Sequence, residues 1–299
     1  MKRKLIKQGL GGFTISMPVK WVKRHGLGKG DEVDLQEIDD NIKISAEQHD
    51  EMKEITLEAS SNERLLQAKI WQSYYQGYDR IIINYTTEAQ KKRIIRTKNM
   101  ALLGFEITKQ DKNRMILENI TGPSAEKQDI LQRRTFFIVK ETLELIESDL
   151  KAGKPKNKER IETLSPEVLK YTLFCQRNIA KRLTSPEHIR NTWEVQNQVS
   201  GIQGRARLIY VYVKDFKASP KTVNILHNLR NAFENIYKGF YTEDLKSLEK
   251  AESTLLSTRE ELVKQLENTK GPETTVLFYL GEISRAMFLL DAAVLALMV

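Results

Sequence analysis

In the second half of the chain, apolar residues recur at alternating three- and four-residue steps, and this pattern fixes most of what the chain can fold into. Phe136, Val139, Leu143, Ile146 and Leu150 form one series; Val276, Leu280, Ile283, Met287, Leu290, Val294 and Leu297 form another. A 3.5-residue repeat sustained over several turns lays one apolar stripe along a long helix. Such stripes are buried by packing nearly parallel helices into a bundle. Prolines punctuate the pattern. Ser165-Pro166, Ser185-Pro186 and Ser219-Pro220 each set a capping Ser before a Pro at the first helical position, where no backbone N–H is needed. Gly122-Pro123 and Gly271-Pro272 separate other helices, and Thr242 supplies a further cap. The expectation is an all-helical domain over 123–299, with six helices at about 124–151, 166–184, 186–215, 220–239, 243–268 and 272–298. The order long, short, long, taken twice, suits a duplicated three-helix unit, although no sequence repeat is visible.

Residues 50–121 change period. Ile55-Thr56-Leu57 reads as a strand and Asn62 to Gln76 as a helix. Arg80 to Tyr85 is a continuous apolar strand of the kind covered on both faces. Thr87 caps a second helix with Gln90 in the capping-box position. Strands Phe105–Gln110 and Arg114–Asn119 follow, joined by an Asp111-Lys112-Asn113 turn. The segment is a small βαβαββ domain, so the whole chain is a multidomain α+β protein.

Residues 1–48 are the least self-sufficient part. Leu5-Ile6 starts a short strand, and Phe13, Ile15 and Met17 alternate with Thr14 and Ser16 in a second. Pro18 opens a short helix carrying Trp21 and Val22, which Gly26 closes in a left-handed conformation. Val33/Leu35 and Ile42/Ile44 alternate in two more strands around an Asp39-Asp40-Asn41 turn. Four short strands bury too little apolar surface to stand alone, and no cysteine or metal set is present to staple them. The physical solution is a shared core, so this segment is expected to form an interleaved homodimer. Its charge is segregated as well. Lys2, Arg3, Lys4, Lys7, Lys20, Lys23, Arg24 and Lys29 occupy the first thirty residues without one acid, whereas eight acids and Lys43 occupy the next twenty. A compact fold with one positive pole attracts phosphate backbones.

The remaining features narrow the function class. Cys175 is the sole cysteine among 299 residues, which excludes an intrachain disulfide and suits a reducing compartment. The N-terminal residues lack the apolar stretch of a signal peptide. The run Ala286–Val299, broken by Asp291, falls short of the roughly 20 residues that span a bilayer. A cytoplasmic protein with no membrane insertion is expected. His25, His49, His188 and His227 have no metal-ligand spacing, and no nucleophile–base arrangement appears, so the chain reads as a non-enzyme without catalytic residues, metal or cofactor. Gly26-Leu27-Gly28-Lys29-Gly30 lacks the P-loop order and reads as a turn. Cys175 and Trp21 read as packing residues. A second basic cluster, Lys91, Lys92, Arg93, Arg96 and Lys98, reads first as an exposed helix face and second as an auxiliary DNA or anion contact.

Thr14-Ile15-Ser16-Met17-Pro18, the Trp21–Arg24 helix, Gly26-Leu27, Gly30-Asp31-Glu32-Val33 and Asn41-Ile42-Lys43-Ile44 together resemble the AbrB family of swapped-hairpin DNA-binding domains. The resemblance covers residues 1–48 and implies interleaved hairpins that present basic side chains to double-stranded DNA. By that reading Lys2, Arg3, Lys4, Lys7, Lys20, Lys23 and Arg24 are the DNA-binding residues. The helical region, in patches such as Leu131–Leu150 and Tyr279–Ala293, is similar to the PhoU family of phosphate-uptake regulators, which carry two three-helix bundles in tandem. Archaeal regulators that join the two modules resemble the chain as a whole. PhoU-type bundles hold metals on Glu/Asp-x-x-x-Asp motifs. The corresponding segments here read Ser200-Gly201-Ile202-Gln203-Gly204 and Gly281-Glu282-Ile283-Ser284-Arg285, which lack the necessary carboxylates. The expectation is a homodimeric DNA-binding transcriptional regulator of phosphate homeostasis, with the bundle sensing a signal or binding a protein partner. The alternative is a scaffold that docks on a phosphate transporter or histidine kinase and uses residues 1–48 only to dimerise.

Overall fold

The computed structural model describes residues 3–9, 11–38, 41–46, 52–121, 125–181, 188–213 and 215–298. Lys2, His49, the Asp39-Asp40 turn, Gly122-Pro123 and Ser185-Pro186 lie outside these residues. Strands come first and helices follow, in two compact units, Met1–Glu51 and Met52–Val299.

The first unit consists of hairpin β1 (Leu5–Gln8)/β2 (Gly12–Ile15), helix α1 (Val19–Arg24) and hairpin β3 (Val33–Ile38)/β4 (Asn41–Ala46). Pro18 stands at the N-cap of α1 in an extended conformation. The other end is a Schellman closure: Gly26 takes φ +65°, its N–H donates to Lys23 O, and the Leu27 N–H donates to Val22 O. In β1/β2, Leu5 pairs with Ile15 and Lys7 with Phe13, which puts the three apolar residues on one face. In β3/β4, Val33 faces Ala46 and Leu35 faces Ile44, again a single apolar face. The β1/β2 face is open, and the β3/β4 face is covered only in part, at Val33, Ile44 and Ala46. Leu5, Ile6, Phe13, Ile15, Val19, Leu35 and Ile42 are 47–70% exposed, and Ala46 is the one buried apolar residue among those described in this unit.

In the second unit a four-stranded sheet has the order β5 (Glu54–Glu58), β6 (Arg80–Asn84), β8 (Arg114–Asn119), β7 (Phe105–Gln110). β6 runs parallel to β5 and antiparallel to β8. Ile81, Ile82 and Ile83 are all buried, as an unbroken apolar run requires. Helices α2 (Glu63–Tyr75) and α3 (Glu88–Ala101) complete the βαβαββ layout. Both have well-made starts: Asn62 accepts from the Leu65 N–H, and Thr87 and Gln90 form a full capping box.

Six helices make the remainder: α4 (Ala125–Ala152), α5 (Lys158–Ala180), α6 (Ile189–Tyr212), α7 (Pro220–Thr242), α8 (Leu245–Asn268) and α9 (Pro272–Met298). α4, α5 and α6 pack on one another, as do α7, α8 and α9; α6 against α9 and α4 against α7 join the triplets. Phe136, Leu143 and Ile146 from one 3.5-residue stripe and Leu280, Met287 and Leu290 from the other lie in a single continuous core. No described helix is long and apolar enough to cross a membrane.

Two expected boundaries are corrected. α5 begins at Lys158 rather than 166, so Pro166 lies inside it. Ser165 does not cap there; its hydroxyl donates back to Ile161 O within the helix. The turn before α5 is held instead by Asp149, which accepts from the backbone N–H and the side-chain amide of Asn157. The helices of the first triplet are therefore more even in length than long, short, long. Thr242 is likewise not a cap. Its hydroxyl donates to Lys238 O as the last residue of α7, Glu243 turns left-handed, and Asp244 caps α8 by accepting from the Lys246 N–H. Ser219-Pro220 does open α7, with the Ser219 hydroxyl accepting from the Thr222 N–H.

Candidate functional site

The described basic residues of the first unit fall on two elements. Lys20, Lys23 and Arg24 stand at i, i+3 and i+4 of α1, so they share one helix face. Lys23 and Arg24 also occupy the last turn, where the helix dipole favours cations. Arg3 and Lys4 precede β1, and Lys7 lies within it on the Leu5/Phe13 face. All six are exposed, and none has an ion-pair partner among the described residues. Lys2, the seventh expected contact, is outside the described residues. Trp21 is half-buried and packs on the His25 ring at 4.7 Å between centroids. Gly28-to-Asp31 is a turn, with the Asp31 carboxylate accepting from the Gly28 N–H at 2.7 Å. One carboxylate is thus engaged locally, and the face of α1 keeps its positive charge. Such a surface can pair with a polyanion.

The second basic cluster is largely internally paired. Arg93 pairs with Glu63 and donates to the Gln67 side chain, Lys98 pairs with Glu106, and Lys91 approaches Glu88. Lys92 and Arg96 are exposed without ion-pair partners among the described residues. Arg96 lies at a groove shared by α2, α3, α5 and α6, lined also by buried Thr97, which the sequence did not single out, and by buried Gln203, which it singled out only in the segment aligned with a metal motif. A signal was present. Ser200, Gln203, Gly204 and Arg207 run i, i+3, i+4, i+7, so α6 carries a polar stripe where a bundle helix would bury an apolar one.

Of the buried charged residues apart from these surfaces, two have perturbed electrostatics of particular interest, Arg177 and Asp291. Arg177 on α5 is sandwiched against the sheet layer. It donates to Asp79 at 2.6 Å and to the carbonyls of Tyr74 and Tyr78 at 2.8 and 2.7 Å. Lys181 donates to the other Asp79 oxygen at 2.6 Å. Burial pulls the Arg177 pKa below its ordinary value, and the Asp79 carboxylate opposes that shift. On α9, burial and then the nearby Glu252 carboxylate push Asp291 up to about 6. Burial likewise pushes the Cys175 thiol up to about 12, the setting of an inert packing residue rather than a nucleophile.

Among the described residues, no three His, Cys, Asp or Glu side chains come together as a metal site. Of the two segments aligned with metal motifs, one places Gln203 and Gly204 at the groove, and the other places Glu282 against Arg205 at 3.7 Å. No family model, curated protein or solved structure matches the chain.

Proposed function

We infer that the chain is a homodimeric, DNA-binding transcriptional regulator whose first unit docks on duplex DNA, and that it acts in phosphate homeostasis, a reading supported only by the resemblance of its helical sequence to the PhoU family. The observation that carries the reading is the cationic face of α1, formed by Lys20, Lys23 and Arg24 and without ion-pair partners among the described residues, with Arg3, Lys4 and Lys7 in the same small unit. Neutralising backbone phosphates with such a face releases condensed counterions and gives sequence-independent affinity. Arginine adds the capacity to pair with guanine in the major groove.

Homodimerisation follows from the apolar faces left open in the same unit. Each fully buried Leu, Ile or Phe contributes about 1.5–3 kcal/mol, and the unit exposes seven large apolar side chains with almost no core beneath them. A second copy offers matching faces and doubles the cationic surface. The helical bundle is then the sensing or partner-binding part.

Titrating labelled duplex DNA with the full chain and with Lys23→Glu/Arg24→Glu tests the reading. The native chain retards the duplex at low salt and the double variant does not. Undiminished binding by the variant removes the proposed surface. A dimer with no DNA affinity favours the transporter- or kinase-docking scaffold.

A further inference from the structure

We propose that the groove formed by α2, α3, α5 and α6 binds a small organic phosphate, with Arg93, Arg96 and Arg207 meeting the phosphoryl group. The groove encloses about 670 Å³, within the range of small-molecule sites and several times what inorganic phosphate fills. It lies wholly in the second unit and stands whether or not the first unit binds DNA.

Three features define the ligand chemistry. The first is charge. Arg96 and Arg207 are exposed at the groove and have no ion-pair partners among the described residues, and Arg93 keeps a buried Nε without a hydrogen bond although its other nitrogens meet Glu63 and Gln67. Glu162 is the one carboxylate in the lining. With Arg93 already paired to Glu63, Arg96 and Arg207 against Glu162 leave a positive excess that the negative charge of a phosphoryl group offsets, and guanidinium forks match phosphoryl oxygens in geometry.

The second is unsatisfied polarity. Thr97 is 1% exposed and its hydroxyl has no partner; Gln203 is 2% exposed and its amide oxygen has none. The Trp71 indole N–H, also at the groove, is buried and unpartnered. Groups left bare in this way are costly, and a small side-chain shift at the groove wall would bring them within reach of a bound ligand. The Gln203 oxygen is an acceptor among donors, so it suits a hydroxyl or amine on the ligand body rather than the phosphoryl group. Its amide nitrogen is already fixed on Ser165, which holds the oxygen in one orientation.

The third is the apolar wall. Met100, Pro166 and Leu169 line the same groove beside Trp71, so the bound molecule carries an apolar or aromatic portion. Pro166 inside α5 and the polar stripe of α6, both anomalous for a bundle, converge here.

The test uses the full chain and phenyl phosphate, a monoester with an apolar ring, measured by isothermal titration calorimetry beside inorganic phosphate and benzoate at equal ionic strength. The expected result is saturable binding of phenyl phosphate with an affinity at least about tenfold above either comparison compound, and a loss of about tenfold or more in Arg96→Ala/Arg207→Ala. Both arginines are exposed and unpaired, so circular dichroism of that variant is expected to be native. Thr97→Val, which removes one hydroxyl at similar volume, weakens binding without changing its stoichiometry. No saturable binding to the native chain overturns the proposal, as does equal affinity in the native and double-variant proteins. Tighter binding of benzoate than of phenyl phosphate overturns the phosphoryl assignment.

Discussion

The ion cluster on Asp79 yields the most quantitative prediction. Arg177 has a side chain only 5% exposed, and its guanidinium lies 4.9 Å from the Phe105 ring and 5.3 Å from the Tyr74 ring, so its charge has little access to water. Asp79 supplies its carboxylate partner and also holds Lys181. Replacing Asp79 with Ala leaves the guanidinium with two backbone carbonyls and no counter-charge. Removing one member of a buried pair costs about 3–5 kcal/mol. With a urea m-value of about 3 kcal/mol/M, the unfolding midpoint moves down by about 1–2 M. Lys181→Met costs less, because Arg177 keeps its partner. The double replacement Asp79→Leu/Arg177→Met recovers much of the loss, since an apolar pair of similar volume is often as stable as a buried ion pair. Urea unfolding followed by circular dichroism compares the four proteins. An Asp79→Ala midpoint within about 0.3 M of native, near 1 kcal/mol on the same slope, or a double variant no better than the single one, refutes the reasoning.

Asp291 gives a prediction with a definite sign in pH. Its folded pKa of about 6 lies above the ordinary 3.8, so the native state holds the proton more tightly than the unfolded chain. The contribution of Asp291 to stability is greatest below about pH 4, falls as pH rises to about 6, and then levels off, for a total of about 3 kcal/mol at 1.36 kcal/mol per unit. Asp291→Asn removes that slope and is more stable than native at pH 7.5, as parallel denaturation at pH 4, 6 and 7.5 would register. Gly104 sits at φ +82°, where a Cβ would collide with the Thr121 hydroxyl. Gly104→Ala therefore loses more than about 1–2 kcal/mol, and adding Thr121→Ala restores only the part due to the collision. For the shared core proposed for the first unit, Leu35→Lys is expected to remove about 1.5–3 kcal/mol of apolar burial from each of two copies, so the dimer dissociation constant measured by analytical ultracentrifugation rises at least about a hundredfold.

Local chemistry was legible in the sequence wherever a signal and its partner lie within a turn or two. The Thr87/Gln90 capping box, the Gly26 closure and the Ser219-Pro220 start of α7 all depend on neighbours three to five residues apart. The 3.5-residue stripes identified the bundle core because periodicity alone determines which helix face is buried. Signals failed where a distant group competed. Asp149 reaches Asn157 and Tyr210 and so organises the start of α5, leaving Ser165-Pro166 as helix interior. The Asp79–Arg177 pair joins residues 98 apart, and no local pattern predicts which buried arginine meets which carboxylate. Arg96 and Arg207 were visible as charges, but only the packing of α3 near α5 and α6 places them at one groove.

The central claim is that the cationic face of the first unit engages duplex DNA, and the salt dependence of affinity tests it most directly. In the proposed dimer, two copies of Lys20, Lys23 and Arg24 offer six cations, and a slope of about −0.9 per phosphate contact predicts log affinity falling against log salt with a slope of about −5 or steeper, as Arg3, Lys4 and Lys7 add contacts. In Lys23→Glu/Arg24→Glu the slope becomes shallower by about 3.6, as four of these six cations are lost. Fluorescence anisotropy of the full chain on a labelled duplex between 50 and 300 mM potassium chloride measures both. A native slope near zero, or one that the double variant leaves unchanged, contradicts the account.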